Sequence, residues 1–207
     1  MKYLVFGANG RIGSLVVQQL LAQNQQVIAF VRGKHNFQPN NNLKIHKGDI
    51  YNKDQVASAV QQASVVISCL GSWGTPKKDI LTIGMKNIVP AMEKYKLSRI
   101  VTLTGADART SSDQPNIIQK ANHALIKIIA KKILEDGENH IKLLEQTNLK
   151  WTVLRSPVMT NSISDYQLTN KLPWPFATIS RQAVASSLVD VARKNIFIQQ
   201  APIISKK

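Results

Sequence analysis

Three glycines near the start of the chain are spaced for binding a phosphate group. They lie in the segment Gly7-Ala8-Asn9-Gly10-Arg11-Ile12-Gly13, between a short apolar run and a stretch with apolar residues at helical spacing. At such a turn the first glycine permits the tight bend, the second lets the backbone approach a pyrophosphate, and the third lets the helix pack closely on the strand. The N–H groups at the start of the helix then face the phosphates. The pattern predicts a dinucleotide site, and the alternative is a glycine-rich turn without a ligand. The predicted cofactor contacts here are Gly7, Asn9, Gly10, Arg11, Ile12 and Gly13.

The residue that ends the second predicted strand bears on which dinucleotide binds. A carboxylate that binds the ribose is expected about 20 residues after the turn. Arg32 stands there instead, and no carboxylate lies between the turn and Asp49. An arginine attracts a 2′-phosphate through charge-assisted bonds, whereas a carboxylate repels it. We therefore expect NADP(H) rather than NAD(H), with a merely solvent-exposed Arg32 as the alternative.

Strands and helices alternate along the whole chain. Short apolar runs predict buried strands, and apolar residues at helical spacing predict the helices between them. This order implies an α/β fold with a doubly wound, mostly parallel sheet, the three-layer α/β/α arrangement of a Rossmann fold. The predicted strands cover 2–7, 26–32, 43–47, 64–70, 99–103, 151–155, 177–179 and about 195–199. The predicted helices cover 12–22, 53–62, 79–95 with a kink or new turn at Pro90, 116–135, 138–147 and 181–193.

The composition narrows the class of protein. With 207 residues, of which 43% are hydrophobic, residues 1–207 are predicted to form a single domain, in which 156–207 supply a small part that covers the substrate. The net charge of +15 is spread along the chain without a dense basic block, which disfavours nucleic acid as the partner. One cysteine, Cys69, excludes an intrachain disulfide framework. No apolar run is long enough to span a membrane, and no leader pattern is present. We expect a cytoplasmic protein without a membrane partner or a metal site, monomeric by default, with a dimer as the alternative.

Further short motifs follow the glycine turn in order. They are Val31-Arg32, Gly48-Asp49-Ile50, Leu70-Gly71, Thr104-Gly105, residues 149–157 and residues 179–185. Their order and spacing resemble the atypical short-chain dehydrogenase/reductases of the NAD(P)-binding, NmrA-like group. The layout is most similar to the small flavin reductase/biliverdin reductase B type, and the resemblance covers essentially the whole chain.

That resemblance implies roles for residues at the ends of the strands. Asp49 and Ile50 would contact the adenine, Leu70 and Gly71 would pass beside the cofactor, and Thr104 would act near the nicotinamide as the catalytic residue. Ser156 and Pro157 stand where the family's Arg-Pro-Gly segment borders the nicotinamide, although here the glycine is replaced and the order is shifted. The residues also allow other interpretations: Asp49 could cap the next helix, Thr104 could be an ordinary strand residue, and Arg155 could form an ion pair at a strand end.

The Tyr-xxx-Lys dyad of the superfamily is absent. The four tyrosines at 3, 51, 95 and 166 are followed four residues later by Gly7, Gln55, Arg99 and Asn170, and the dyad positions align with Ile133 and Gly137. Reduction of an isolated ketone needs a well-placed acid, whereas a flavin or quinone spreads the added charge over its own rings. The sequence therefore predicts an oxidoreductase that transfers hydride from NADPH to a planar conjugated acceptor. The alternative is a non-catalytic NADP(H)-sensing regulatory protein.

Three segments are predicted to cover such an acceptor. They are Ser72-Trp73-Gly74, residues 106–115 and residues 159–176. Trp73, Tyr166 and Trp174, with Phe176, are predicted to form an aromatic wall for a planar ligand, and ordinary loop anchoring or core packing is the alternative.

Overall fold

The computed structural model of the chain describes residues 1–73 and 75–207. The strands, in chain order, are β1 (Lys2–Phe6), β2 (Gln26–Val31), β3 (Leu43–Lys47), β4 (Val65–Ser68), β5 (Arg99–Gly105), β6 (Lys150–Ser156), β7 (Val158–Thr160), β8 (Tyr166–Thr169), β9 (Thr178–Ser180) and β10 (Ile203–Lys206). The helices are α1 (Arg11–Ala22), α2 (Lys53–Val60), α3 (Ile80–Lys94), α4 (Ile117–Ile129), α5 (Lys131–Glu145) and α6 (Arg181–Lys194).

The main sheet has eight strands in the order β3-β2-β1-β4-β5-β6-β10-β8, and β7 pairs with β9 in a separate ribbon. Pairing is parallel throughout the main sheet except between β8 and β10. The strand order therefore reverses between β1 and β4, which opens a crevice at the carboxyl ends of these two strands. The predicted α/β class with a doubly wound, mostly parallel sheet is confirmed.

Helices cover both faces of the sheet, because the central strands are apolar on both sides. On β1, Tyr3 and Val5 pack into one core cluster together with α1 and α6. Leu4 and Phe6, which point to the opposite face, pack into a second cluster with α2, α3 and α5. The two clusters hold the sheet between two layers of helix and fix the carboxyl ends of the strands in place.

The structure differs from the predicted elements at four places. The helix predicted over 116–135 is broken at Ala130, so that α5 begins at Lys131 and runs through Gly137. The strand predicted near 195–199 is wrong: Asn195, Phe197 and Gln199 have positive φ angles of 53° to 54°, and β10 lies later. The covering stretch 159–176 contains β8 and part of β7, which the sequence did not predict. The predicted helix over 79–95 is α3, which continues through Pro90 as one helix.

Among the described residues, none of the helices combines the length and apolar character needed to cross a membrane.

Candidate functional site

The glycine turn lies at the crevice between β1 and β4. Gly7 has a φ of 69°, and a Cβ atom there would stand 2.7 Å from the carbonyl oxygen of Cys69. A Cβ at Gly13 would stand 2.1 Å from the carbonyl oxygen of Gly7, whereas one at Gly10 would meet only that oxygen, at 3.1 Å. The Gly10 N–H closes the turn by donating to the Gly7 carbonyl at 2.9 Å. The backbone geometry therefore requires glycine at Gly7 and Gly13, and close packing of helix on strand is the reason.

The start of α1 is suited to an anion. Gly10 is the N-cap, no side chain caps the helix, and the first turn contains no acidic residue. Ile12 is buried in the core, while Arg11 is exposed as the first residue of the helix. An uncapped helix N-terminus offers backbone N–H donors and a partial positive charge to a phosphate.

An open cleft of about 510 Å³ adjoins this helix start, lined by Arg11, Ser14, Leu15, Asn161 and Arg181. Arg181 is the first residue of α6, and its Nη1 donates to Oδ1 of Asn161. Of the described residues that line the cleft, two are arginines and none is acidic, which favours an anionic ligand. The sequence did not predict Asn161 and Arg181 as part of this site, because both belong to segments remote in sequence from the turn.

Arg32 is exposed directly after β2. Asn9, in the glycine turn, donates from Nδ2 to the carbonyl oxygen of Lys34 at 2.9 Å. This hydrogen bond ties the segment that carries Arg32 to the turn. The contact of Asn9 seen here is thus with the protein backbone, and it holds the segment after β2 against the glycine turn.

Asp49 and Ile50 follow β3 at the same edge of the sheet. Oδ1 of Asp49 accepts from the N–H of Tyr51 at 3.1 Å, which fixes a local turn. The cap of α2 is Asn52, which accepts from two backbone N–H groups at 3.1 Å, so the capping role considered for Asp49 is wrong. Ile50 is almost fully buried, and with Leu70 it packs against Gly84 of α3.

The segment after β4 is anchored by the buried carboxylate of Asp136 on α5. Ser72 is buried and donates its hydroxyl to Asp136 of α5. The same carboxylate accepts from the N–H groups of Leu81 at 3.1 Å and Thr82 at 2.8 Å, so it caps α3 from another helix. Gly71 has open space where a Cβ would be, and Trp73 is 73% exposed. Gly74, the last residue of the predicted covering segment, lies outside the described residues.

Thr104 lies near the carboxyl end of β5 and is only 8% exposed. A Cβ added to Gly137 of α5 would stand 2.6 Å from Oγ1 of Thr104 and 3.0 Å from Cβ of Ala108. Thr104 therefore packs against α5 at the position where the resemblance places the lysine of the dyad. Ile133 lies one helical turn earlier and is half-buried. At positions 133 and 137, α5 therefore offers no cation to the Thr104 hydroxyl, and the neighbouring cation is Arg155, which pairs with Thr104 in register on β6.

A buried histidine lies behind Thr104. Nε2 of His140 is 2.8 Å from Oγ1 of Thr102, which lies two residues before Thr104 on β5. Burial lowers the pKa of His140 to about 4, although the nearby Asp136 carboxylate acts in the opposite direction. The imidazole is therefore neutral near neutral pH and is not a ready proton donor.

The end of β6 anchors the loop that follows β5. Arg155 forms a buried bidentate ion pair with Asp113 at 2.5 and 2.9 Å, so the ion-pair interpretation of Arg155 is confirmed. Burial raises the pKa of Asp113, but hydrogen bonds from Arg155 and Thr110 outweigh this effect and the net pKa is lowered. Ser156 is buried, its carbonyl accepts from the N–H of Ala106 at 2.8 Å, and its hydroxyl donates to the carbonyl of Pro157. These contacts hold loop 106–115 against the sheet.

The predicted aromatic side chains are not brought together. Tyr166 lies on β8, and its hydroxyl donates to Asp190 of α6 at 2.7 Å. Trp174 and Phe176 are exposed, and no stacking between Trp73, Tyr166, Trp174 and Phe176 occurs in the described part of the chain. Tyr166 therefore anchors the sheet edge to α6, which corresponds to the packing alternative.

The sequence is similar to one described protein family and to two curated proteins. Residues 7–195 match the family described as NAD(P)H-binding. The 2-alkyl-3-oxoalkanoate reductase of Shewanella oneidensis is 26% identical over 165 residues, which cover 73% of this chain and 43% of that protein. The photosystem II assembly factor Ycf39 of Synechocystis sp. is 25% identical over 215 aligned residues, which cover 94% of this chain and 61% of that protein. The chain thus spans about half the length of the curated relatives it matches.

Solved structures share the fold at low sequence identity. A short-chain dehydrogenase/reductase (wide type) from Veillonella parvula in complex with NADP has a TM-score of 0.80 at 20% identity and covers 99% of this chain and 94% of its own. ChuY, an anaerobillin reductase from Escherichia coli O157:H7, has a TM-score of 0.78 at 17% identity, with 100% and 97% coverage. The oxidoreductase ylbE from Lactococcus lactis has a TM-score of 0.82 at 17% identity, with 100% and 91% coverage.

Proposed function

The chain belongs to the NAD(P)H-binding family, and we propose that it is a reductase that transfers hydride from NADPH to a planar conjugated acceptor such as a flavin or a quinone. The single observation that carries the proposal is the glycine turn at the crevice between β1 and β4, joined to an uncapped helix start and a cleft with two arginines.

The residues around the turn fit a bound dinucleotide. Gly7 and Gly13 have no room for a side chain because the turn packs closely on the protein's own backbone, whereas a Cβ at Gly10 would meet only the Gly7 carbonyl oxygen, at 3.1 Å. The second glycine of such a turn lets the backbone approach a pyrophosphate. The first turn of α1 carries no acid, and Arg11 and Arg181 face the adjoining cleft. We assign the pyrophosphate to this helix start.

The preference for NADP(H) over NAD(H) rests on Arg32. It is exposed at the end of β2, and the hydrogen bond from Asn9 to the next residues of that loop holds it close to the turn. A guanidinium at this place can form charge-assisted hydrogen bonds with a 2′-phosphate, each worth about 1.5–3 kcal/mol.

We infer the class of acceptor from the described groups around Thr104, none of which is a ready proton donor. The resemblance aligns Gly137 with the lysine of the dyad, Thr104 offers only a hydroxyl, and His140 is neutral with its pKa lowered to about 4. The nearby Arg155 and Asp113 are paired with each other. The bound NADPH supplies the hydride, so the protein's contribution is to orient the two rings and exclude water. An acceptor that holds the added charge on its own rings needs no protein acid. A 3-oxo acid, the substrate class named for the Shewanella relative, would need one for its carbonyl oxygen.

The test is stopped-flow oxidation of NADPH by the full chain with FMN and with a soluble quinone. Turnover faster than the protein-free control with either acceptor is expected. An unchanged rate across a panel of such acceptors would overturn the reductase proposal.

The cofactor preference has its own test. The variant Arg32→Asp is expected to weaken NADPH binding by about tenfold to a hundredfold while NADH binding is kept, because the carboxylate repels only the 2′-phosphate. Isothermal titration with both cofactors measures this, and an equal loss for NADPH and NADH would remove Arg32 from the phosphate site.

A second candidate is a non-catalytic protein that senses NADP(H). It is favoured by the burial of Thr104 against Gly137 and by the ion pair of Arg155 with Asp113, which leave neither a lysine nor an unpaired arginine beside Thr104 in the described part of the chain. Tight NADPH binding without oxidation by any acceptor in the panel would support this role over the reductase.

A further inference from the structure

Helix α4 carries its apolar face towards solvent. The residues Ile117, Ile118, Ala121, Leu125, Ile128 and Ile129 recur at helical spacing and form one stripe along the helix, here called the α4 stripe. None of the residues of α4 is buried, and Ile117 and Ile128 are 78% and 81% exposed. A surface helix of a globular protein normally turns such a stripe to the core.

The polar face of α4 holds this orientation. Asn122 donates from Nδ2 to Asp107 at 2.9 Å, and Nδ1 of His123 lies 3.1 Å from the carbonyl oxygen of the same residue. Gln119 donates from Nε2 to the carbonyl oxygen of Leu172 at 3.0 Å. Gln119 also forms a capping box with Asn116, which fixes the start of the helix. The polar side chains therefore form hydrogen bonds within the protein, and these bonds fix the α4 stripe in its outward orientation.

The charge around the α4 stripe limits what can cover it. Residues 116–130 contain no acidic side chain, and Lys120 and Lys127 of α4 are exposed. Two more exposed lysines, Lys131 and Lys132, begin α5, and Lys131 lies 3.8 Å from the carboxylate of Glu135. The whole chain has a net charge of +15. A second copy of this chain would bring the same lysines against these, whereas a surface of anionic lipid offers both an apolar layer and negative charge.

We propose that α4 docks the protein on an anionic phospholipid bilayer. The α4 stripe, about 20 Å long, lies in the boundary between headgroups and acyl chains, and the flanking lysines contact lipid phosphates. Large exposed apolar patches mark interaction sites, and the combination with lysines selects this partner. The expectation of no membrane partner rested on the lack of a spanning segment, which does not bear on a helix lying on the surface. Because α4 contacts the loop after β5, the docked protein holds the carboxyl edge of the sheet near the lipid.

The test is flotation of the full chain with vesicles. We expect it to bind vesicles of equal parts phosphatidylglycerol and phosphatidylcholine, to release them as the salt concentration rises, and not to bind vesicles of phosphatidylcholine alone. The double variant Ile117→Gln with Ile128→Gln is expected to lower partitioning at least about tenfold, because two exposed isoleucines no longer enter the apolar layer. The matched control is Ile196→Gln, an exposed isoleucine after α6 at the amino edge of the sheet, which should bind as the unchanged protein does.

Three outcomes would overturn the proposal. The first is no binding of the unchanged protein to the anionic vesicles. The second is full binding of the double variant, which would assign the attraction to overall charge rather than to the α4 stripe. The third is a dimer in sedimentation equilibrium that the double variant abolishes, with no vesicle binding, which would assign the stripe to a second copy. NADPH oxidation by the variants in the absence of vesicles is a separate measurement, so the failure of either proposal leaves the other distinguishable.

Discussion

His140 allows a quantitative prediction of how stability depends on pH. The side chain is wholly buried on α5, with Nε2 bonded to Thr102 and Nδ1 buried without a hydrogen-bond partner. Burial lowers its pKa from 6.5 to about 4 in the folded protein. The unfolded chain, in contrast, titrates this histidine near its ordinary value.

The two pKa values determine how His140 changes the free energy of unfolding with pH. Between pH 6.5 and about pH 4 the unfolded chain binds a proton at His140 that the folded chain does not bind. The free energy of unfolding therefore falls as pH falls through this window, and the contribution is fully present above pH 6.5. The gap between the two pKa values corresponds to about 3 kcal/mol.

Urea unfolding at a series of pH values, for the unchanged protein and for His140→Gln, measures this contribution. Glutamine can keep a hydrogen bond to Thr102 but binds no proton, so the variant should lose less stability on acidification. Other groups with altered pKa values, such as His46 and Asp107, are common to both proteins and cancel in the comparison. Parallel pH profiles for the two proteins would refute the reasoning.

Three further predictions test the turn and two buried charges. Gly13→Ala should abolish the thermal shift caused by NADPH, because the added Cβ would stand 2.1 Å from the Gly7 carbonyl oxygen. Gly10→Ala, whose Cβ would stand 3.1 Å from the same oxygen, should keep part of the shift. A larger shift for Gly13→Ala than for Gly10→Ala would contradict this prediction. Asp136→Ala should lower the free energy of unfolding by about 3 kcal/mol in urea titrations, since two N–H groups of α3 and a serine hydroxyl lose their acceptor. The control Asp79→Ala, at the formal N-cap without a cap bond, should cost much less. Arg99→Met should lower the free energy of unfolding by about 3 kcal/mol in the same measurement, because the guanidinium is buried and donates to four protein oxygens. A loss below about 0.5 kcal/mol would show that these oxygens find other hydrogen-bond donors.

The features that depend on local backbone geometry could be predicted from the sequence. The glycine turn is one, because the backbone conformation at Gly7 and the close packing at Gly13 both require glycine. The central strands are another, because burial on both faces makes each strand a continuous apolar run. The alternation with helices then implies a doubly wound, mostly parallel sheet, and the strand order that the structure shows places the turn at the crevice.

The contacts that join distant segments could not be predicted. Asp136 caps α3 across more than fifty residues of sequence, and Arg181 reaches the cleft beside α1 from the far end of the chain. The misplaced helix break has the same origin. The helices predicted over 116–135 and 138–147 leave Gly137 between them, whereas Gly137 lies inside α5, where it allows close approach to Thr104. A glycine at a close packing contact and a glycine at a helix end look alike in sequence.

The orientation of α4 could not be predicted from the periodicity of its sequence. Apolar residues at helical spacing predict an amphipathic helix, and the structure contains one at Ile117–Ile129. The spacing of apolar residues does not determine which face of α4 packs against the rest of the protein. That choice is made by Asn122 and His123, whose polar side chains bond to Asp107, a residue that the periodicity does not include. Where polar contacts outcompete apolar packing for the inner face, the apolar stripe is left for a partner, and the lysines beside it indicate the charge that this partner carries.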